Sequence, residues 1–308
     1  MKRLKAIYSR NARIVCAVLL ILMLVGSFFD LPISRFLYPG HESSIGQFFA
    51  AFGEMPCHLL ICCAGTLLFF IRSKLREDWN VLFILGSAAL FLMGIAIGVY
   101  EAKDNVAALP TWVAVLVMTF FAVLSSFGVL VLSRGCSVRT VLRFIITVVF
   151  VTVGTMAVVN LVKMPWARPR MRLITVTGNE SYFMQWWKIG GGGLKEKLVA
   201  EGVPVSEFRS FPSGHSACAA CAMLAILLPT LSRRWRGSER TCMLVGAGWT
   251  FVVALSRICM GAHFLTDVTA AALITLVIAV VGVRLVYFNQ KVFNWIWHLV
   301  AKKDDKEE

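Results

Sequence analysis

Long apolar runs separated by short polar connections constrain this chain more than any other feature. Eight runs occur, at about residues 14–29, 57–72, 81–100, 109–132, 141–162, 213–231, 241–257 and 264–286. Most are close to the ~20 residues that a helix needs to cross a bilayer. With 58% hydrophobic and 16% charged residues, and a mean hydropathy of +0.75, the composition excludes an ordinary soluble domain. We therefore expect an all-α fold, a polytopic membrane helix bundle with about eight transmembrane helices.

The net charge is +14, but the distribution of the basic residues indicates membrane topology and does not predict a nucleic-acid partner. They fall in short clusters between the apolar runs and do not follow one polar face. Most lie in the connections 1–13, 72–80, 133–143 and 232–240 and from residue 284 onward. Because positively charged connections stay in the cytoplasm, both termini are expected inside and the long connection 163–212 outside. We expect a bacterial inner (plasma) membrane as the location.

The domain organisation is predicted to be a single integral-membrane domain over residues 1–308. Within it we distinguish N-terminal helices in 1–140, a core in 141–286 that includes the outer loop 163–212, and a cytoplasmic tail in 287–308. The loop contains four consecutive glycines at 190–193 and a short amphipathic segment at about 194–201. It is either a lid over the outer mouth of the bundle or a solvated connector.

The nine cysteines predict no disulfide framework, because six of them lie inside apolar runs and behave there as small hydrophobes. Cys218 and Cys221 form a Cys-x-x-Cys pair among alanines. We interpret the pair as small residues that allow close helix contact, in preference to a redox or metal site.

Three polar clusters map to the outer ends of predicted spans although they are far apart in sequence. The first is Lys163-Met164-Pro165-Trp166-Ala167-Arg168-Pro169-Arg170, the second is Pro212-Ser213-Gly214-His215, and the third runs from Ser256-Arg257 to His263 and Asp267. Their convergence on one rim predicts a common site.

The second cluster predicts an anion site. Pro212 suits the first position of a helix, so the next three residues should present free N–H groups and the positive end of the helix dipole. Gly214 allows a ligand close to the backbone and Ser213 adds a hydroxyl. Cations from other helices could surround the same point: Lys163, Arg170 and Arg257. Phosphate is the expected anion.

Two histidines near a bound phosphoryl group suggest a division of labour. His263 and Asp267 are four residues apart, which places them on one face of a helix. Asp267 can then accept the Nδ1 proton and leave Nε2 of His263 free to attack phosphorus. His215 would be the general acid and later the base for water.

These residues, in this order and spacing, resemble the signatures of the type 2 phosphatidic acid phosphatase superfamily. The resemblance covers residues 163–267. It implies phosphate binding by Lys163, Arg170, Ser213, Gly214 and Arg257, acid–base work by His215, attack by His263 and orientation by Asp267, with no metal and no other cofactor. The Arg-Pro pair of the family appears here as Arg170-Met171, with Arg168-Pro169 just before it, so either arginine could be the main clamp. Members commonly have six spans, which leaves the N-terminal helices without a role.

The resemblance and the location together imply hydrolysis of a phosphomonoester or pyrophosphate on a lipid head group, at the outer surface, through a phosphohistidine. Candidate substrates are phosphatidic acid, phosphatidylglycerol phosphate, polyprenyl pyrophosphate and a lipid A phosphate. The expected partners are this lipid phosphate and the surrounding bilayer. Two alternatives remain: a lipid-linked phosphotransferase, which the same intermediate would support, and a transporter or flippase. The transporter would need ionisable residues near the centres of several spans.

Overall fold

The protein folds as a bundle of α-helices. The computed structural model describes residues 2–41 and 43–302, and in that part no strand occurs. The α-helices are α1 (Lys2–Leu37), α2 (Ser44–Phe52), α3 (Met55–Ile71), α4 (Asn80–Asn105), α5 (Thr111–Ser133), α6 (Val138–Trp166), α7 (Met171–Thr177), α8 (Leu194–Ala200), α9 (Gly214–Ala220), α10 (Glu239–Cys259), α11 (Leu265–Val283) and α12 (Gln290–Val300).

Eight segments of the described chain are long and apolar enough to span a membrane. The prediction of an all-α polytopic bundle with eight spans is therefore confirmed. The first two spans are longer than their apolar runs indicate, at Lys5–Leu37 and Ser44–Lys74. Helix α1 continues through the polar residues that flank its run, because a helix satisfies its own backbone whatever its side chains are. The second span is longer because α2 and a 3₁₀ turn adjoin α3. The span that begins with α9 continues as a 3₁₀ helix over Cys221–Leu231.

One end of the bundle holds the terminal segments of the chain, and the other end holds the polar clusters. Lys5 near the N-terminus lines a cleft with Arg284 and Lys291, so both terminal segments lie at one end, the terminal end. The opposite end holds the three polar clusters, and we call it the site end. Helix α3 packs on α4, α5 and α6, and α11 packs on α1, α6 and α9. The N-terminal helices are thus part of the same packed bundle as the C-terminal ones.

The long connection at the site end is folded onto the bundle. The short helix predicted at 194–201 is confirmed as α8. The indole of Trp186 donates a hydrogen bond to Ser27 Oγ on α1 (2.9 Å), and Trp166 stacks on Phe211 with ring centroids 4.9 Å apart. Trp186 of this loop thus packs against α1, while Trp187 and Ile189 are exposed, and the choice between a lid and a connector stays a prediction.

The prediction for Pro212 is also wrong. Helix α9 begins at Gly214, and Ser213 is its N-cap, with its Oγ accepting from the N–H of Ser216 (3.3 Å). Serine is a strongly preferred N-cap because its oxygen satisfies an N–H group that has no intrahelical partner. Pro212 therefore precedes the cap and is outside the helix.

All nine cysteines are free. Cys218 and Cys221 pack against Cys57 of α3 in one buried cluster. Their place in the structure is the close contact between helices that the sequence predicts for this pair.

Close packing of α10 on the preceding span predicts different responses at two glycines. A Cβ on Gly246 would lie 2.7 Å from the backbone nitrogen of Met223 and closer still to the carbonyl of Ala222, whereas one on Gly248 would meet no described atom within 4 Å. Gly246→Ala should lower stability by about 1 to 3 kcal/mol through overpacking. Gly248→Ala should leave it unchanged or raise it, because alanine is the better helix former. Thermal unfolding in detergent measures both, and equal unfolding temperatures would contradict the packing described here.

Candidate active site

A polar pocket opens at the site end. Its volume is about 320 Å³, and α4 lines one side while α6 and the start of α9 line the other. Five of the predicted site residues line it: Lys163, Arg170, Gly214, His215 and His263. Residues that the sequence analysis did not name also line it, including Glu54, Glu101, Ser206 and Arg209. The polar clusters therefore converge on one cavity.

His263 lies in the turn between α10 and α11 and not on a helix. Helix α11 begins at Leu265, so the predicted placement of His263 and Asp267 on one helix face is wrong. The ring Nδ1 lies 2.6 Å from the carbonyl oxygen of Ser210 and 3.9 Å from Asp267 Oδ2. A carbonyl only accepts hydrogen bonds, so Nδ1 carries the proton and Nε2 has the free lone pair. The tautomer expected for a nucleophile is therefore favoured, but the acceptor in contact is Ser210.

Asp267 acts on His263 indirectly, through Ser210 and Phe264. Its Oδ2 accepts from the hydroxyl of Ser210 (2.6 Å) and from the backbone N–H of Phe264 (2.8 Å). The second contact closes the first turn of α11, where a carboxylate is favoured by the helix dipole. The carboxylate thus holds both neighbours of the ring: the residue whose carbonyl contacts Nδ1 and the residue that follows His263.

Arg168 is the structural partner of this carboxylate. Its guanidinium is fully buried and lies between Asp267 and Asp30, whose Oδ2 is 2.9 Å from Nη2. Its Nε donates to the carbonyl of Met184 (2.8 Å) and its Nη1 to Thr266 Oγ1 (2.8 Å). Arg168 does not line the pocket, and its donors are used within the fold.

Arg170 is placed differently from Arg168. It lines the pocket, and its Nε has no hydrogen-bond partner among the described residues. Its Nη1 is 4.0 Å from Glu207 Oε1, and that carboxylate is engaged more closely by Arg172 (Oε2 3.0 Å from Nε). Of the two arginines that the sequence leaves as candidates, Arg170 is the one placed to bind an anion in the pocket.

Lys163 and the start of α9 meet at the same point. A Cβ on Gly214 would lie 3.4 Å from Lys163 Nζ, so the ammonium group lies against the start of the helix. The N–H groups of Gly214 and His215 lie in the first turn, where no carbonyl of the same helix can accept them. Ser213 is buried, its N–H donates to the carbonyl of Asp267 (3.1 Å) and its Oγ caps the helix. Gly214 is therefore better placed than Ser213 for a ligand in the pocket.

Positive charge surrounds His263. Arg257, in the last turn of α10, is almost fully buried and lies behind the pocket, close enough for its charge to act on His215 and His263. Burial, with the charges of Arg170, Arg257 and Lys163 adding to it, holds the pKa of His263 well below its ordinary value of 6.5. At neutral pH the ring is therefore neutral, which is the form that a nucleophile needs.

His215 has a contrasting environment. Its Nδ1 lies 3.0 Å from Glu54 Oε1 and its Nε2 lies 2.9 Å from the carbonyl oxygen of Ala50. Both partners come from the junction of α2 and α3, which the sequence analysis left without a role. The two histidines of one pocket thus differ in the charge of their surroundings.

Three residues of this site were not found from sequence: Asp30, Glu54 and Ser210. Asp30 and Glu54 are carboxylates at the edge of apolar segments, where a charge is costly unless it has a partner. The same rule applies to Asp267, and applied along the whole sequence it would have identified these two as well. Nothing in its own sequence surroundings distinguishes Ser210. Among residues 2–41 and 43–302, no group of three or more His, Cys, Asp or Glu side chains is placed to hold a metal ion.

The different positions of Arg168 and Arg170 predict different effects of the same substitution. Arg168→Gln should leave two buried carboxylates without a cation and cost about 3 to 5 kcal/mol of stability. Arg170→Gln should leave the unfolding temperature nearly unchanged and raise KM for a phosphate substrate about 10- to 100-fold, the value of one charge-assisted hydrogen bond. Thermal unfolding and steady-state kinetics separate the two effects. A stable, weakly binding Arg168→Gln variant would contradict the assignment.

Comparison with known proteins agrees with this geometry. The family model described as PAP2 superfamily matches residues 144–291, which include both histidines, Lys163 and Arg170. Searches of curated proteins and of solved structures gave no match. Proteins of this superfamily typically carry phosphatase activity. Residues 144–291, which supply most of the pocket lining, carry the match to the PAP2 superfamily.

Proposed function

We propose that this protein is a membrane phosphatase that removes a phosphoryl group from a lipid head group through a phosphohistidine intermediate. The observation that carries the proposal is the placement of His263, with Nδ1 2.6 Å from the carbonyl oxygen of Ser210, in a pocket shared with Lys163 and Arg170. The two cations and the start of α9 would bind the phosphate oxygens. The superfamily match supports a phosphatase activity in general.

The chemistry follows from the placement of the two histidines. Nε2 of His263 attacks phosphorus as the bond between phosphorus and the lipid oxygen breaks, and His215 gives a proton to that oxygen. Water then attacks phosphorus, the bond to Nε2 breaks, and His215 takes a proton from the water. The cations stabilise the charge that develops on the phosphoryl oxygens in both steps.

A lipid substrate is supported by the shape of the pocket. Its lining includes Thr155 and Met156 of α6, about two helical turns or ~12 Å from Lys163 along the helix axis. Tyr100 on α4 and Asn160 on α6 are exposed at its edge. A head group could therefore enter sideways between these helices while its acyl or prenyl chain stays in hydrocarbon. Phosphatidic acid, phosphatidylglycerol phosphate, polyprenyl pyrophosphate and lipid A phosphates are the candidates.

The orientation that we propose places both termini in the cytoplasm and the pocket on the outer face of a bacterial inner membrane. The support is the concentration of Lys and Arg in the connections of the terminal end. Lipids of the outer leaflet would then reach the pocket.

Phosphate release from purified lipid phosphates in detergent tests the activity. His263→Gln should abolish turnover, because no other described nitrogen holds its position. His298→Gln, in α12 at the terminal end, should keep the wild-type rate. Activity should persist in saturating chelator. An active His263→Gln enzyme, or activity that a chelator removes and a metal restores, would overturn the mechanism.

The lowered pKa of His263 makes a separate prediction for the pH profile. The neutral ring is present above the folded-state pKa of His263. Protonation of His263 therefore removes activity as the pH falls through that pKa, which lies below 6.5. The acid limb of kcat/KM, corrected for titration of the substrate phosphate near pH ~6, should therefore have its midpoint below pH 6.5. A midpoint at or above the ordinary histidine value would contradict the assignment.

A further inference from the structure

One segment of the N-terminal helices binds both ring nitrogens of His215. Glu54 lies between α2 and α3 and contacts Nδ1, and Ala50, near the end of α2, contacts Nε2, at 3.0 and 2.9 Å. Both His215 and Glu54 are less than one-tenth exposed. The segment lies outside the residues 144–291 that match the superfamily model. Its contact with a predicted catalytic residue is therefore a feature of this chain's own N-terminal helices.

These partners define how many protons the ring holds. The carbonyl of Ala50 only accepts, so Nε2 carries a hydrogen. That carbonyl also belongs to the last turn of α2, where carbonyl groups lack intrahelical partners and the helix dipole favours a cation. An ionised Glu54 accepts from Nδ1 in the same way. Both contacts are satisfied together when His215 is an imidazolium ion.

Other charged or titratable groups face His215 from several elements. They are His58 of α3, Cys218 on its own helix, Lys163 of α6, Arg257 of α10 and His263. Burial and the charge of Arg257 oppose a second proton on His215. Glu54 is the carboxylate in contact with the ring, and its charge acts in the opposite sense.

We propose that Glu54 is a positioning residue that keeps His215 protonated and oriented as the general acid. The inference rests on the proposed phosphatase function. As the bond between phosphorus and the lipid oxygen breaks, Nε2–H gives its proton to that oxygen, while Nδ1–H stays on Glu54. Nε2 is the donor because a bond to a neutral carbonyl is weaker than one to a carboxylate. Nε2 then regains a proton from the attacking water as the bond between phosphorus and His263 breaks.

The dependence of the rate on the leaving group tests this role. Glu54→Gln should lower kcat for a lipid phosphomonoester on the order of 10²-fold, because an alkoxide leaves poorly without a proton. It should change kcat for p-nitrophenyl phosphate less than about tenfold, because nitrophenolate leaves without protonation. Glu239→Gln, a similarly buried glutamate at the start of α10, is the matched control and should keep both rates.

Charge and packing roles of Glu54 are separated by a second variant and by the pH profile. Glutamine matches the shape of glutamate, whereas Glu54→Asp keeps the charge on a shorter arm. A charge role predicts that Glu54→Asp retains more of the lipid rate than Glu54→Gln, and a packing role predicts the reverse. In Glu54→Gln the alkaline limb of kcat should also move to lower pH, because the imidazolium has lost its counter-ion.

The outcomes distinguish this inference from the proposed function. A folded wild-type protein that releases phosphate from neither substrate overturns both. An active wild type, with Glu54→Gln unchanged in its leaving-group dependence and its alkaline limb, overturns the role of Glu54 alone. If Glu54→Gln does not elute as a monodisperse species, the same comparison is made on Glu54→Ala, which also removes the charge. There an unchanged leaving-group dependence and alkaline limb have the same meaning.

Discussion

The ion pairs of Arg168 with Asp30 and Asp267 are the interaction on which the site depends. All three side chains are buried, so each charge would be very costly without the others. The contacts join α1, the segment after α6 and the start of α11, and from Asp267 they continue through Ser210 to Nδ1 of His263. A charge network that fails if any member is absent holds the histidine in one orientation, which is what a preorganised nucleophile requires.

The two histidines then receive opposite surroundings in one pocket. His263 is enclosed by cations and stays neutral, while His215 sits between a carboxylate and the carbonyl end of a helix. Acid and nucleophile can coexist a short distance apart only when their environments favour different protonation states. Here the C-terminal helices provide the first environment, and the junction of α2 and α3 provides the second, so the N-terminal helices contribute contacts to the pocket as well as packing.

Sequence reasoning was most successful where a local property of the chain, such as the length of an apolar run, decides the structure. The eight apolar runs predicted the spans, because a membrane crossing needs length and hydrophobicity alone. The polar clusters predicted five of the residues that line the pocket. It was wrong about the contact between His263 and Asp267, because the spacing of four assumes a helix that begins only at Leu265. It also left open whether Arg168 or Arg170 is the main clamp, because the sequence does not show which of two neighbouring arginines faces the pocket.

The amino-acid sequence by itself determined that this chain is an all-α membrane bundle with a PAP2-type set of polar residues, since hydropathy and motif spacing are local properties of the chain. The tertiary structure alone decided which arginine is buried between carboxylates and which faces the pocket, that Ser210 contacts His263, and that Glu54 contacts His215. The reason is that these assignments depend on partners distant in sequence. Asp30 and Arg168 meet only when α1 packs on α11, and Glu54 meets His215 only when α3 packs on α9.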